Sequence, residues 1–138
     1  MTVIVEFPTP AFPPTAVPTP RSKPIFESDM QEARTFYLVL KVAVAAGDSG
    51  LLAERTQYPL PVIVKGVSTT INSPADLEKA YDRILDSAAR DAIYSFDEQD
   101  LVLMPGGIRA ADGLLWFNLF CLDAACSQSE FRITAINN

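Results

Sequence analysis

The chain has 138 residues, 49% of them hydrophobic and 20% charged, with 11 Lys and Arg against 17 Asp and Glu and no histidine. That length and balance suit one small domain with a sizeable core, and leave no room for a cofactor domain beside a substrate domain. The missing imidazole removes the usual neutral-pH acid/base, the commonest zinc and iron ligand and every triad built on His.

Residues 1–27 hold Glu6, Glu27, Arg21 and Lys23 and net to zero, so the rest of the chain carries the whole formal charge of −6. Its remaining cations are scattered singly, which speaks against nucleic acid and against an anionic membrane surface as partners. No apolar run reaches the ~18 residues of a spanning helix. The longest candidate, Phe36 to Ala46, is interrupted by Lys41, so no membrane insertion is expected. Met1 to Phe7 lacks the basic start and apolar stretch of a signal peptide. The expected location is therefore cytoplasmic or, if a leader was removed and replaced by a starting Met, periplasmic or secreted.

Pro8, Pro10, Pro13, Pro14, Pro18, Pro20 and Pro24 crowd the N-terminus. Proline fixes φ and removes donors, so residues 1–27 read as an extended arm. The arm is either a spacer or a segment docked in a groove, with Phe7, Phe12, Val17 and Phe26 as its anchors. The folded domain is expected over 28–138.

From Ser28 the pattern turns helical, with Ala33, Phe36, Tyr37, Leu40 and Val44 on one face, which predicts a first helix over 29–46. Ser28 is its expected N-cap and Gly47 its left-handed stop. Asp48 or Ser49 then caps a short second helix through Leu51, Leu52 and Arg55. Tyr58 to Lys65 reads as a strand, but Pro59 and Pro61 lack donors on one side, placing its first half at a sheet edge or beside a bulge. Ser73 and Pro74 open a third helix with an apolar stripe of Leu77, Ala80, Tyr81, Ile84, Leu85 and Ala88, continuing to Ile93.

Beyond Phe96 the chain reads as strands: Leu101 to Met104, Ile108 to Ala110, Leu114 to Cys121 and Glu130 to Asn137, with turns at Pro105-Gly106-Gly107 and Asp112-Gly113. Helices first and strands last predicts α+β. In Leu114 to Cys121, Leu115, Phe117 and Leu119 point one way and Trp116 and Phe120 the other, so both faces call for cover. The helices supply one cover; a second subunit or the arm supplies the other. Leu115, Phe117 and Leu119 are assigned to a homodimer face.

Phe36-Tyr37, Ala46-Gly47-Asp48, Tyr58-Pro59-Leu60, Tyr81-Asp82 with Ile84, Gly106-Gly107-Ile108, Gly113 through Trp116-Phe117, and Ile133 to Asn137 together resemble the nuclear transport factor 2 superfamily, a cystatin-like α+β roll, and in particular its small bacterial secreted members. The resemblance spans residues 29–138. It implies N-terminal helices packed on a curved antiparallel sheet forming a cone-shaped roll, with an apolar pocket and often a dimer through the sheet. The superfamily holds isomerases, dehydratases, cyclases, transport adaptors and bare binding domains, so the fold does not name a function. Members of the ketosteroid isomerase type place a carboxylate base where this chain has Tyr58 to Val64, which contains no acid. Dehydratase-like and cyclase-like members rely on His, which is absent here.

Other residues that can carry chemistry have plainer readings. Glu54 beside Arg55 reads as a solvated charge. Gly106-Gly107 joins two strands and opens no phosphate cradle. Asp97, Glu98 and Asp100 lack the spacing of a calcium loop. Ser68, Thr69, Thr70 and Ser73 read as turn and cap residues. No catalytic residue, cofactor or metal is expected. Cys121 and Cys126 lie where a hairpin loop can bring them into bridging distance, implying an oxidising compartment; the alternative is two unpaired thiols in the cytosol.

Within the cone that the resemblance implies, Tyr37, Tyr58, Tyr81 and Trp116, with Asn118 and Arg109, offer aromatic walls and a few polar handles for a small apolar or acidic ligand. The same aromatics can equally fill the core. Three functions follow: a non-catalytic domain that binds a small apolar or amphipathic ligand; a dimeric protein-interaction module using the sheet face and the arm; or an isomerase or lyase whose carboxylate the sequence does not expose.

Overall fold

The computed structural model describes residues 21–138. Phe7, Phe12 and Val17 of the expected arm lie outside the described residues. The end of the arm is ordered: strand β1 (Arg21–Ser22) pairs antiparallel with a central strand, whereas Phe26 is exposed.

Among the described residues there are four α-helices where three were expected, and their boundaries differ from the expected ones. The chain enters α1 (Met30–Ala46) through a 3-10 turn, Glu27–Asp29. The turn is fastened by Asp29, whose Oδ2 accepts the Phe26 N–H at 2.8 Å, so Ser28 is not the cap. At the other end Gly47 takes φ 68°, and its N–H reaches the Ala43 and Val44 carbonyls. Asp48 caps α2 (Ser49–Glu54) by accepting the Leu51 N–H at 3.1 Å. Ser73 caps α3 (Pro74–Ile84) by accepting the Asp76 N–H at 3.2 Å.

The expected continuation to Ile93 is helical, but as a separate helix rather than an extension of α3. Leu85 leaves helical geometry, and Asp86 caps a separate α4 (Ser87–Ser95) through the Ala89 N–H at 2.9 Å. The break shifts the helical phase, so Ala89 faces the core while Ala88 is exposed. No described helix is long and apolar enough to cross a membrane.

The seven-stranded sheet adds β2 (Leu60–Val64), β3 (Val67–Ile71), β4 (Val102–Met104), β5 (Gly107–Ala110), β6 (Leu115–Cys121) and β7 (Ser129–Asn137), in the order β3-β2-β7-β6-β5-β4, with β1 on β6. It is mixed rather than wholly antiparallel, because β2 runs parallel to β7. Strand β2 is not an edge: Ser68, Thr69 and Thr70, expected in a turn, form β3 and take that place. The prolines are tolerated because β7 meets Thr56 through a bridge to Ile133 and meets β2 again only at Val62 and Ile63. Pro59 and Pro61 thus fall where no ladder bond to β7 is made. At the β4–β5 turn, Gly107 has φ 130° and lies so close to β6 that a Cβ there would sit 2.8 Å from the Phe117 carbonyl oxygen. Only glycine meets both conditions.

The core lies between the four helices and one face of the sheet, and it corrects the expected dimer face. Leu115, Phe117 and Leu119 are buried beneath α1, with the Phe36 and Phe117 rings 5.1 Å apart. The alternation along β6 was as expected. Its apolar row is simply the row the helices cover, so it cannot meet a second subunit.

Candidate functional site

The six residues expected to line one pocket divide between two places. Tyr37 stands on the buried face of α1 and is wholly enclosed, its ring against Phe96 and Phe117. Its hydroxyl donates to the Ile93 carbonyl at 2.6 Å, which ties α1 to α4. Burial, with the Glu98 charge adding to it, pushes its ionisation far above the usual tyrosine range. Tyr58, half-buried, donates to the Ala53 carbonyl at 2.8 Å, and burial raises its ionisation too. Tyr81 is buried on α3, and burial is again the main cause that raises its ionisation. Its hydroxyl has no hydrogen-bond partner among the described residues.

Tyr81 borders an enclosed apolar space, together with Leu40, Leu52, Ile84, Leu115 and Ile136. About 10 Å³ is free there. That is room for at most one water, whereas small-molecule sites run to several hundred Å³. Interdigitated side chains fill the interior. Among the described residues Thr56 is the only buried polar one, and its hydroxyl donates back to the Leu52 carbonyl at 2.7 Å. No described carboxylate faces this space.

Arg109, Trp116 and Asn118 lie on the opposite face of the sheet, which none of the described helices covers. Arg109 pairs across the ladder with Trp116 on one side and Val102 on the other. Asn118 pairs with Arg132, and Phe120 with Glu130. Trp116 is half-buried, with its indole N–H donating to the Gly113 carbonyl at 3.1 Å. Arg132 is held by Glu130 at 2.7 Å and by Gln57 at 2.8 Å.

Asn118 has a special position. β5 pairs with β6 only as far as Phe117, and β1 takes over at Phe120, so Asn118 stands at the gap between them. Its Oδ1 accepts the Leu119 N–H at 2.9 Å, doing what the missing strand would do. Beside the gap runs an open groove of about 600 Å³ lined by Lys23, Ile25, Leu103, Met104, Gly107 and Asn118 among others. Sequence reasoning placed Asn118 in the pocket. The signal for its true place was the alternation itself, which sets it on the same side as Trp116.

Cys121 and Cys126 are joined as a disulfide that closes the β6–β7 loop. Glu54 is exposed. Asp97 caps a 3-10 turn by accepting the Gln99 N–H, and Glu98 pairs with Lys41 at 3.4 Å. Among the described residues no cluster of His, Cys, Asp or Glu is arranged to hold a metal ion. Compared with protein-family models, curated proteins and solved structures, the chain matches none.

Proposed function

We propose that this chain is a protein-interaction module that pairs with a second copy of itself through the uncovered face of the sheet. The observation that carries the reading is the division of the site residues. The enclosed space beside Tyr81 has only about 10 Å³ free, while Arg109, Trp116 and Asn118 stand together on a face that none of the described helices covers. A half-buried Trp with an adjacent Arg is the usual make-up of an interface anchor. Glu130 on the same face is already engaged by Arg132 at 2.7 Å, so the contact is expected to rest on Trp116 and its apolar surroundings rather than on charge pairing.

Light scattering over a concentration series tests this. The expected result is a dimer for the natural chain and a monomer for Trp116→Glu, with the same unfolding midpoint once dilution has dissociated the natural dimer. A natural chain that stays monomeric at the highest concentration overturns it.

A second reading, a small apolar ligand taken into the closed space, is favoured by its lining of apolar side chains alone, provided that α3 moves to open it. A rise in melting temperature with a member of a library of apolar small molecules, lost when Leu77→Phe fills the space, is the expected result.

A further inference from the structure

The structure assigns a second task to the disulfide loop: the edge of β6 at Leu119–Cys121 is a clasp for the chain's own segment Arg21–Lys23, and the Cys121–Cys126 bond keeps the clasp closed. Strand β5 leaves this part of β6 unpaired, since its register ends at Phe117. An open edge of that kind is a template for any extended chain. Here Arg21 lies opposite Cys121, Ser22 lies opposite Phe120, and the Lys23 N–H donates to the Leu119 carbonyl at 2.9 Å.

So short a strand gains little from the ladder alone; Ile25, packed against the core, anchors its far end, and the loop holds its near end. The Arg21 guanidinium donates to the Ala124 carbonyl at 3.2 Å, and Ala124 lies inside the ring that the disulfide closes. The loop's shape is set by bonds within that ring and just beyond it. The Cys126 N–H donates to the Asp123 carbonyl at 3.1 Å, the Asp123 carboxylate accepts both the N–H and the hydroxyl of Ser127, and the Leu122 N–H donates to Gln128 at 2.9 Å. The Arg21 charge also acts on Asp123, adding to the Ser127 hydrogen bonds that hold the carboxyl below its usual range. Cys126 sits at φ 54°, a left-handed conformation that a non-glycine residue keeps only when its surroundings impose it. Without the bond the loop has reason to relax, and Ala124 leaves its place over Arg21.

A dithiol reductant would open the clasp. Its thiolate attacks the sulfur of Cys126, the less buried cysteine, and Cys121 leaves as a thiolate that takes up a proton. The second thiol of the reductant then closes the reductant's own disulfide and releases Cys126, so two electrons and two protons pass to the cysteine pair. The outcome is a freed N-terminal segment and a bare edge on β6.

Amide exchange on the full chain, oxidised and after dithiothreitol, tests the clasp. Reduction is expected to speed exchange at Lys23 by about tenfold or more, and trypsin cleavage after Arg21 likewise, while Leu40 and Ile133 keep their protection. The Cys121→Ser, Cys126→Ser double variant should behave as the reduced chain does. In the oxidised chain, Arg21→Gln should speed Lys23 while Leu122 stays protected. Unchanged Lys23 exchange on reduction, or Lys23 and Ile133 accelerating together, overturns the proposal. So does full Lys23 protection in Arg21→Gln.

Discussion

The two faces of β6 are built from alternate residues of one seven-residue strand, yet they differ in everything that matters for function. Leu115, Phe117 and Leu119 are sealed under α1 among other apolar groups. Trp116 and Asn118, one residue away in each case, are half-buried on a face with Arg109, Arg132 and Glu130 for neighbours. Both rows have the large apolar content that suggests cover. A strand cannot tell from its own sequence which row its helices will take, so the lesson is that apolar weight alone does not separate a core row from an interface row.

A pair of truncations separates the two rows most strongly. Phe117→Ala empties a fully enclosed site among Phe36, Tyr37 and Phe131, and should cost about 3 to 5 kcal/mol in a denaturant titration. Trp116→Ala on the dissociated chain should cost only about 1 kcal/mol, because a half-buried ring leaves no cavity behind. Equal costs would mean that the outer face is as packed as the inner one.

A finer contrast lies within the interior. Tyr37→Phe removes a donor from the Ile93 carbonyl and should destabilise by about 1 to 2 kcal/mol. Tyr81→Phe removes a hydroxyl that bonds nothing among the described residues and should be neutral or stabilising by up to about 1 kcal/mol. Thermal melts of the two variants decide it; a destabilised Tyr81→Phe would show that the hydroxyl has a partner in solution.

The smallest expected effect belongs to the loop at the end of β6. The Asp123 carboxyl is held below its usual range chiefly by the Ser127 hydrogen bonds. A carboxyl depressed in the folded state contributes order that is present above its ordinary value and lost as pH falls through the folded one. The Ser127 and Lys23 amides should therefore keep constant protection from neutral pH down to about 4 and lose it below. Asp123→Asn should flatten that acid step in an exchange series.

Much of the fold was legible in the sequence because it rests on local signals. Gly47 stops α1, Asp48 and Ser73 cap their helices, and the apolar spacing of Phe36, Tyr37, Leu40 and Val44 marks a buried stripe. Each of these needs only the neighbouring turn of chain. Strand β3 escaped notice because Ser68, Thr69 and Thr70 carry no apolar alternation; they become a strand by pairing with β2. The register change at Leu85 and Asp86 was hidden because both helices are apolar on the inward side and only the break decides whether Ala88 or Ala89 faces in.

The candidate site was less legible than the fold, and for a single reason. The sequence by itself determined that Arg109, Trp116 and Asn118 exist as polar and aromatic groups on strands, and that Trp116 and Asn118 share a face, since alternate residues of a strand point the same way. It also put Cys121 and Cys126 within reach of each other. Only the tertiary structure decided that this face turns away from Tyr37 and Tyr81, because the side of a sheet on which helices settle depends on contacts between elements far apart in the chain. The same holds for the clasp. Arg21 and Ala124 are 103 residues apart, and nothing local to either predicts that they meet.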